Sequence, residues 1–302
     1  MIVKLLPRLR RSCTGSRLVI GLPMIWLFLL AAAPLLIVLN YSLAEMDVAS
    51  VNSLWQWADQ ALTVKLNFSN YLFLSEDPLY FKTYLSSLKY AAITTLWCLL
   101  LGYPFAYFMA RSPAHLRPLL LMLVMLPFWT SFLLRIYAWK TLLTGNGLVN
   151  NSLMALGLID APLHMMNTPF SLTIGMVYAY LPFMILPLYA NLVKLDLSLL
   201  EAAADLGASP WKTFWLVTVP LSRRGIIAGS LLVFIPAVGE YVIPELLGGP
   251  DTLMIGRVLW DEFFSNNDWP MASAVTVVMI LLILVPMALF NKYHDDTVGE
   301  KV

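Results

Sequence analysis

Apolar runs of about twenty residues, separated by polar intervals, constrain this chain more than any other feature. They cover residues 18–39, 84–110, 119–139, 168–193, 226–246 and 270–290. Within hydrocarbon a backbone must satisfy its own donors and acceptors, so runs of this kind cross a membrane as helices. The predicted class is all-α, a polytopic membrane protein with six transmembrane helices. Only 12% of the 302 residues are charged, about half the share of a water-soluble domain. A formal net charge of +1 gives no bulk attraction for nucleic acid. Cys13 and Cys98 lie in a basic segment and an apolar run, too far apart in this topology to be a natural disulfide pair.

The first run follows Lys4, Arg8, Arg10, Arg11 and Arg17 and contains Ala31-Ala32-Ala33, a pattern shared with secretory signals. It continues through Pro34 to Val38, longer than a signal core of about 7–15 residues. It is therefore expected as a retained first span with a cytoplasmic N-terminus. Residues 40–83 form a long outer interval carrying Trp55, Trp57, Tyr71, Asp59 and Asp77, and a short helix is expected near 149–158. Every expected span contains proline, which suits helices that bend. Gly225 and Gly229, four apart, permit close helix contact.

Charge orients the bundle. With the N-terminus inside, thirteen of the 19 Lys and Arg fall in cytoplasmic segments, among them Arg111, Arg117, Lys194, Lys212, Arg223, Arg224, Lys292 and Lys301. The positive-inside rule then puts both termini and the interval 201–221 in the cytoplasm.

That interval reads as helix, break, helix. Glu201-Ala202-Ala203-Ala204 are strong helix formers, and Gly207 can take the left-handed conformation that closes a helix. Ser209 can cap a second helix with Pro210 at its first position. Trp211, Phe214 and Trp215 give it an aromatic stripe until Pro220, where it is expected to stop. Two short amphipathic helices with exposed aromatics on the water side make a docking surface; the plainer alternative is a connector lying on the bilayer.

The order Glu201-Ala202-Ala203, three residues, Gly207, nine residues, Val217-Thr218-Val219-Pro220 resembles the EAA motif of type I ABC importer permeases. Val217 and Val219 depart from the family's usual Ile and Leu. The resemblance implies a type I permease fold whose loop sits in a groove of a cytoplasmic ATPase. Carried onto this chain, the coupling residues are Glu201, Ala202, Ala203, Asp205, Gly207, Pro210, Trp211, Phe214 and Pro220. The implied division is 1–83 (cytoplasmic start, first helix and long periplasmic loop), 84–291 (five-helix domain with coupling loop 194–224) and 292–302 (cytoplasmic tail). Asn67-Phe68-Ser69-Asn70-Tyr71, Leu101-Gly102-Tyr103-Pro104 and the block from Pro236 to Pro250 are similar to permeases of polyamine importers, nearest the PotH-type permease of putrescine importers. The implied setting is a bacterial inner membrane. The implied partners are a second permease, with a heterodimer favoured, two ATPase subunits holding ATP and Mg, a periplasmic polyamine-binding protein and membrane lipid, with no nucleic acid.

Glu240 lies inside the fifth run, about 21 Å from its cytoplasmic end at 1.5 Å per residue, in the outer third, and Arg135 lies about 24 Å along the third run. An ionisable group at that depth needs a partner or a water-filled path. Two readings stay open: an ion pair between them, or Glu240 facing a cationic substrate. Tyr241, Glu245, Trp260 and Asp261 extend the acidic and aromatic character outward, where a polycation would be steered by charge and held by cation–π contact.

No GxxxxGK[ST] loop, HExxH or GxSxG occurs in the sequence. The chain is therefore expected to be a pore subunit and not an enzyme, with no cofactor of its own. A secondary transporter would usually be longer and carry internal repeats.

Overall fold

A computed structural model describes the backbone of residues 6–47, 50–51, 55–58 and 61–299, and the side chains of 19–46, 51, 65–284 and 288. Lys4, Asp59 and Lys301 lie outside the described residues, as do the side chains of Arg8, Arg10, Arg11, Cys13, Arg17, Trp55, Trp57 and Lys292.

Helix α1 is Leu6–Ser42. Two antiparallel hairpins follow, β1 (Met46–Asp47) with β2 (Ser50–Val51) and β3 (Trp55–Ala58) with β4 (Ala61–Val64), a small β addition to an otherwise helical chain. After α2 (Ser69–Glu76), Asp77 caps α3 (Pro78–Arg111) by accepting from Leu79 N at 2.8 Å. Then come α4 (Arg117–Met125), α5 (Phe132–Leu143), α6 (Leu148–Ala155) and α7 (Pro169–Leu192), the last opened by a Thr168–Ser171 capping box. The polar interval holds α8 (Ser198–Asp205), α9 (Pro210–Thr213) and α10 (Val219–Leu221). It is followed by α11 (Arg223–Val238), α12 (Val242–Leu247), α13 (Ile255–Trp260) and α14 (Trp269–Gly299).

Three helices are long and apolar enough to cross a bilayer as single spans: residues 19–42 of α1, α3 and α7. Among the described residues the part of α14 that qualifies as apolar is shorter, Trp269–Leu284. Two expected spans differ from straight rods. The third run bends by 85° between Arg117–Trp129 and Phe132–Ala155. Pro127 offers no backbone donor, residues Leu126–Trp129 tighten into a 3-10 turn, and Thr130 Oγ1 takes the Pro127 carbonyl at 2.8 Å. The fifth run is helical only to Val238, breaks over residues 239–241 and resumes as α12. Glu240 therefore lies in a break and not on a continuous helix, which removes the basis of the 21 Å depth.

The chain divides into two compact units, 1–76 with 262–281 and 77–261 with 282–302. In the first, Asn70 Nδ2 donates to the carbonyls of Ser42 and Ala44 at 3.2 and 3.0 Å, and Tyr71 donates to Ser42 Oγ at 2.8 Å. These bonds fix α2 against the end of α1, whose apolar side chains stay exposed, Leu22 and Phe28 among them.

In the second unit α7 is the axis. Leu172, Met176, Met184, Leu188 and Leu192 are buried, and α7 packs on both α3 and α11. Gly225 and Gly229 make the approach of α11 possible: a Cβ would lie 2.7 Å from Asn191 Cβ at the first and 2.7 Å from Met184 Sδ at the second. Gly102 serves the same purpose on α3, where a Cβ would meet Met184 Cγ at 3.2 Å. Pro104, Pro182, Pro187 and Pro236 lie inside helices that continue past them.

Candidate functional site

Residues 198–221 form an elbow of short helices on either side of Gly207. Glu201, Ala202, Asp205 and Pro210 are exposed and Ala203 is half-buried. Gly207 has φ +79°, and a Cβ there would meet no atom within 4 Å, so the constraint is backbone conformation and not space. Ser209 caps α9 by accepting from Lys212 N at 3.4 Å. Leu206 is 89% exposed, Trp211 70% and Leu216 73%. Trp211 also stacks on Phe214 at 6.1 Å and meets Trp215 edge-on at 5.8 Å. Large apolar side chains exposed together mark a contact surface.

Pro220 does not end this second helix. Residues Phe214–Thr218 widen into a π turn in which Val219 N–H bonds to Phe214 O, and the helical path continues to Leu221. A proline ring in a regular α-helix would strike the carbonyl four residues back; the wider turn relieves that clash. Exposed Pro220 sits on the far side of the bulge.

Phe214 faces inward, unlike the other candidate coupling aromatic, Trp211. Its ring is edge-on to Tyr103 at 5.5 Å and to Tyr107 at 5.9 Å, both on α3. Tyr103 OH also lies 2.8 Å from Ser222 Oγ. The Ser222 hydroxyl is already donated to Val219 O at 3.0 Å, so Tyr103 is the donor. The Arg111 guanidinium covers Tyr107 at 5.3 Å. Reasoning from the sequence missed Tyr103, Tyr107 and Ser222; a tyrosine in an apolar run, needing a partner for its hydroxyl, was the available signal.

Glu240 and Arg135 do not form an ion pair among the described residues. Glu240 Oε1 accepts from Val242 N at 3.0 Å and Ile243 N at 3.3 Å, capping α12, while Oε2 accepts the Tyr180 hydroxyl from α7. Arg135 instead places its guanidinium over Phe128 at 5.5 Å and Phe132 at 5.6 Å, with Nε buried and without a hydrogen-bond acceptor. Aromatic faces take up a cation without a carboxylate. Tyr180, also missed from the sequence, is the same signal of a tyrosine in an apolar span.

Beyond the break, Tyr241 stacks on Trp260 at 4.3 Å and 11°. Beside them Glu245 of α12 binds Arg257 Nε of α13 at 2.7 Å. This pair is about one-third exposed, so it contributes at most about 1 kcal/mol. Gly256 lets α13 rest on the break: a Cβ would lie 2.5 Å from the Glu240 carbonyl. Asp261 is exposed just past Trp260. Tyr241, Glu245, Arg257 and Trp260 thus stand together on the α12–α13 pair, with Glu240 turned to α7.

Residues 99–299 match the family described as binding-protein-dependent transport system inner membrane component. The chain belongs to this family of permeases. The permease is 45% identical over 280 residues to the spermidine/putrescine transport system permease protein PotB of Salmonella typhimurium, covering 90% of this chain and 93% of that one. It is 46% identical over 266 residues to PotB of Escherichia coli, covering 86% and 92%. A solved bacterial ABC transporter that imports alginate superposes with a TM-score of 0.68 at 18% identity, covering 96% and 99%. The type I ABC permease fold and the polyamine-permease likeness expected from the loops are met. These relatives carry the PotB name where the loops suggested the PotH type, and the permease family common to both is what the likeness establishes.

Proposed function

We propose that this permease is one of two pore-forming subunits of an ATP-driven importer of polyamines, putrescine first and spermidine second. The elbow 198–221 is its coupling element, seated in the groove of a separate ATPase that holds ATP and Mg. The chain itself makes and breaks no covalent bond. A second, homologous permease completes the pore as a heterodimer, and a periplasmic binding protein delivers the cation. Both termini and the elbow are cytoplasmic, and residues 84–291 form the transmembrane domain.

The observation that carries this reading is the elbow's geometry: a left-handed Gly207 between two short helices, with Leu206, Trp211 and Leu216 exposed. The substrate class is supported by the PotB relatives, whose name states spermidine and putrescine. A binding protein is supported by the family's description, and by a second solved alginate transporter in complex with its periplasmic protein. The candidate cation path runs by Glu240, Tyr241, Glu245, Trp260 and Asp261.

Trp211→Ala should weaken ATPase copurification by about thirtyfold, the ~2 kcal/mol typical of a buried aromatic anchor at an interface. Gly207→Asp should do so as well, by placing charge and a side chain on the docking tip. Both variants should insert normally into the membrane. Unchanged ATPase association together with normal radiolabelled putrescine uptake would sink the docking reading.

A further inference from the structure

The elbow has two faces, and only one of them is outward. Leu206, Trp211 and Leu216 are exposed, whereas Phe214 is turned back between Tyr103 and Tyr107 of α3, at 5.5 and 5.9 Å and nearly perpendicular to both rings. Trp211 also stacks on Phe214 at 6.1 Å, so the two faces meet at this ring. The same turn is tied a second time, where Tyr103 donates to Ser222 at 2.8 Å, just beyond the π turn. Tyr103 therefore grips the elbow on both sides of the bulge. The Arg111 guanidinium backs Tyr107 at 5.3 Å and holds that ring in place. Thr218, inside the π turn, is buried.

From this we infer that Phe214 is a transmission residue and not a docking residue: it is the knob of a joint whose socket is Tyr103 and Tyr107, and it passes motion of the elbow to α3. The inference rests on the docking reading proposed above. The chain path joins the elbow to α11 with a 65° bend at Ser222, and to α7 through the short link 193–197, but not to α3. A joint at that bend alone would let the elbow swing while α3 stayed still. α3 already packs on α11, and clamping Phe214 and Ser222 adds a direct hold of the elbow itself on α3. Both helices pack on α7, so the displaced body is the three-helix core. The π turn contributes the geometry: bonding Val219 N–H to Phe214 O, one residue further back than in an α-helix, widens the turn at the residue that enters the socket.

The test separates docking from transmission in the whole complex, with partner permease, ATPases and binding protein, reconstituted in vesicles. Two quantities are read: ATPase copurification, and radiolabelled putrescine imported per ATP hydrolysed. Phe214→Ala should lose less copurification than Trp211→Ala while import per ATP hydrolysed falls at least tenfold. Phe214→Tyr, which keeps the ring, should recover most of the loss. Tyr107→Ala should lower the same ratio, and the double variant should be no worse than the more severe single one, since both remove a single contact. If Phe214→Ala fails to accumulate, Tyr107→Ala carries the measurement from the α3 side. Loss of ATPase binding by Phe214→Ala matching that of Trp211→Ala, proportional loss of hydrolysis and import, or additive effects in the double variant would each overturn the joint. A wild-type complex that never retains the ATPase would sink the docking reading instead.

Discussion

Replacing Gly229 with leucine should abolish the folded permease, leaving no monodisperse species in detergent and no putrescine uptake. Gly229 is buried at the crossing of α11 and α7, where an added Cβ would lie 2.7 Å from Met184 Sδ and 3.1 Å from the Met184 carbonyl oxygen. The thioether can swing aside, but the carbonyl belongs to the α7 backbone and cannot. Alanine should therefore cost about 1 kcal/mol, and leucine ~3 kcal/mol or more, because each added methylene must displace a helix. Thermal unfolding of the purified protein, read against Gly229→Ala, checks the order. A leucine variant that melts like the wild type would mean that α11 and α7 are not held at this distance.

Glu240→Gln is expected to lower putrescine uptake at least tenfold while the complex still assembles. The carboxylate takes the Tyr180 hydroxyl and two backbone N–H groups, and it has no cationic side chain paired to it among the described residues. Glutamine keeps an oxygen for the N–H groups and a polar partner for Tyr180, so it removes charge and little else. Alanine differs: it strands a hydroxyl and two N–H groups at about 1–3 kcal/mol each. Glu240→Ala should therefore lower stability as well as uptake. Arg135→Gln should rescue neither variant, since its guanidinium lies over Phe128 and Phe132. Normal import by Glu240→Gln would assign the carboxylate to capping α12 alone.

Several features are legible in the sequence alone. Apolar runs of bilayer length announce helices because an unpaired backbone group in hydrocarbon is too costly to leave. Gly207 and the Ser209-Pro210 pair were readable because caps and left-handed closures depend on one or two neighbouring residues, and the structure has Gly207 at φ +79° and Ser209 capping α9. Gly225 and Gly229 announced a close crossing through their spacing alone.

What depended on distant residues was not legible. Pro127 bends the third run and Pro220 does not end the elbow, yet both are prolines in helical surroundings; the difference lies in the local turn, a 3-10 turn closed by Thr130 on the Pro127 carbonyl in one case and a wider π turn in the other. Glu240 and Arg135 were rightly singled out as charges needing company, but partners 60 residues away, such as Tyr180, leave no local pattern. By itself the sequence determined the class, the family and the two helices of the elbow, because each follows from composition or from contacts a few residues apart. Only the tertiary structure decided which aromatics face out, which charge sits on rings and which caps a helix, because those choices belong to side chains brought together by α3, α7 and α11.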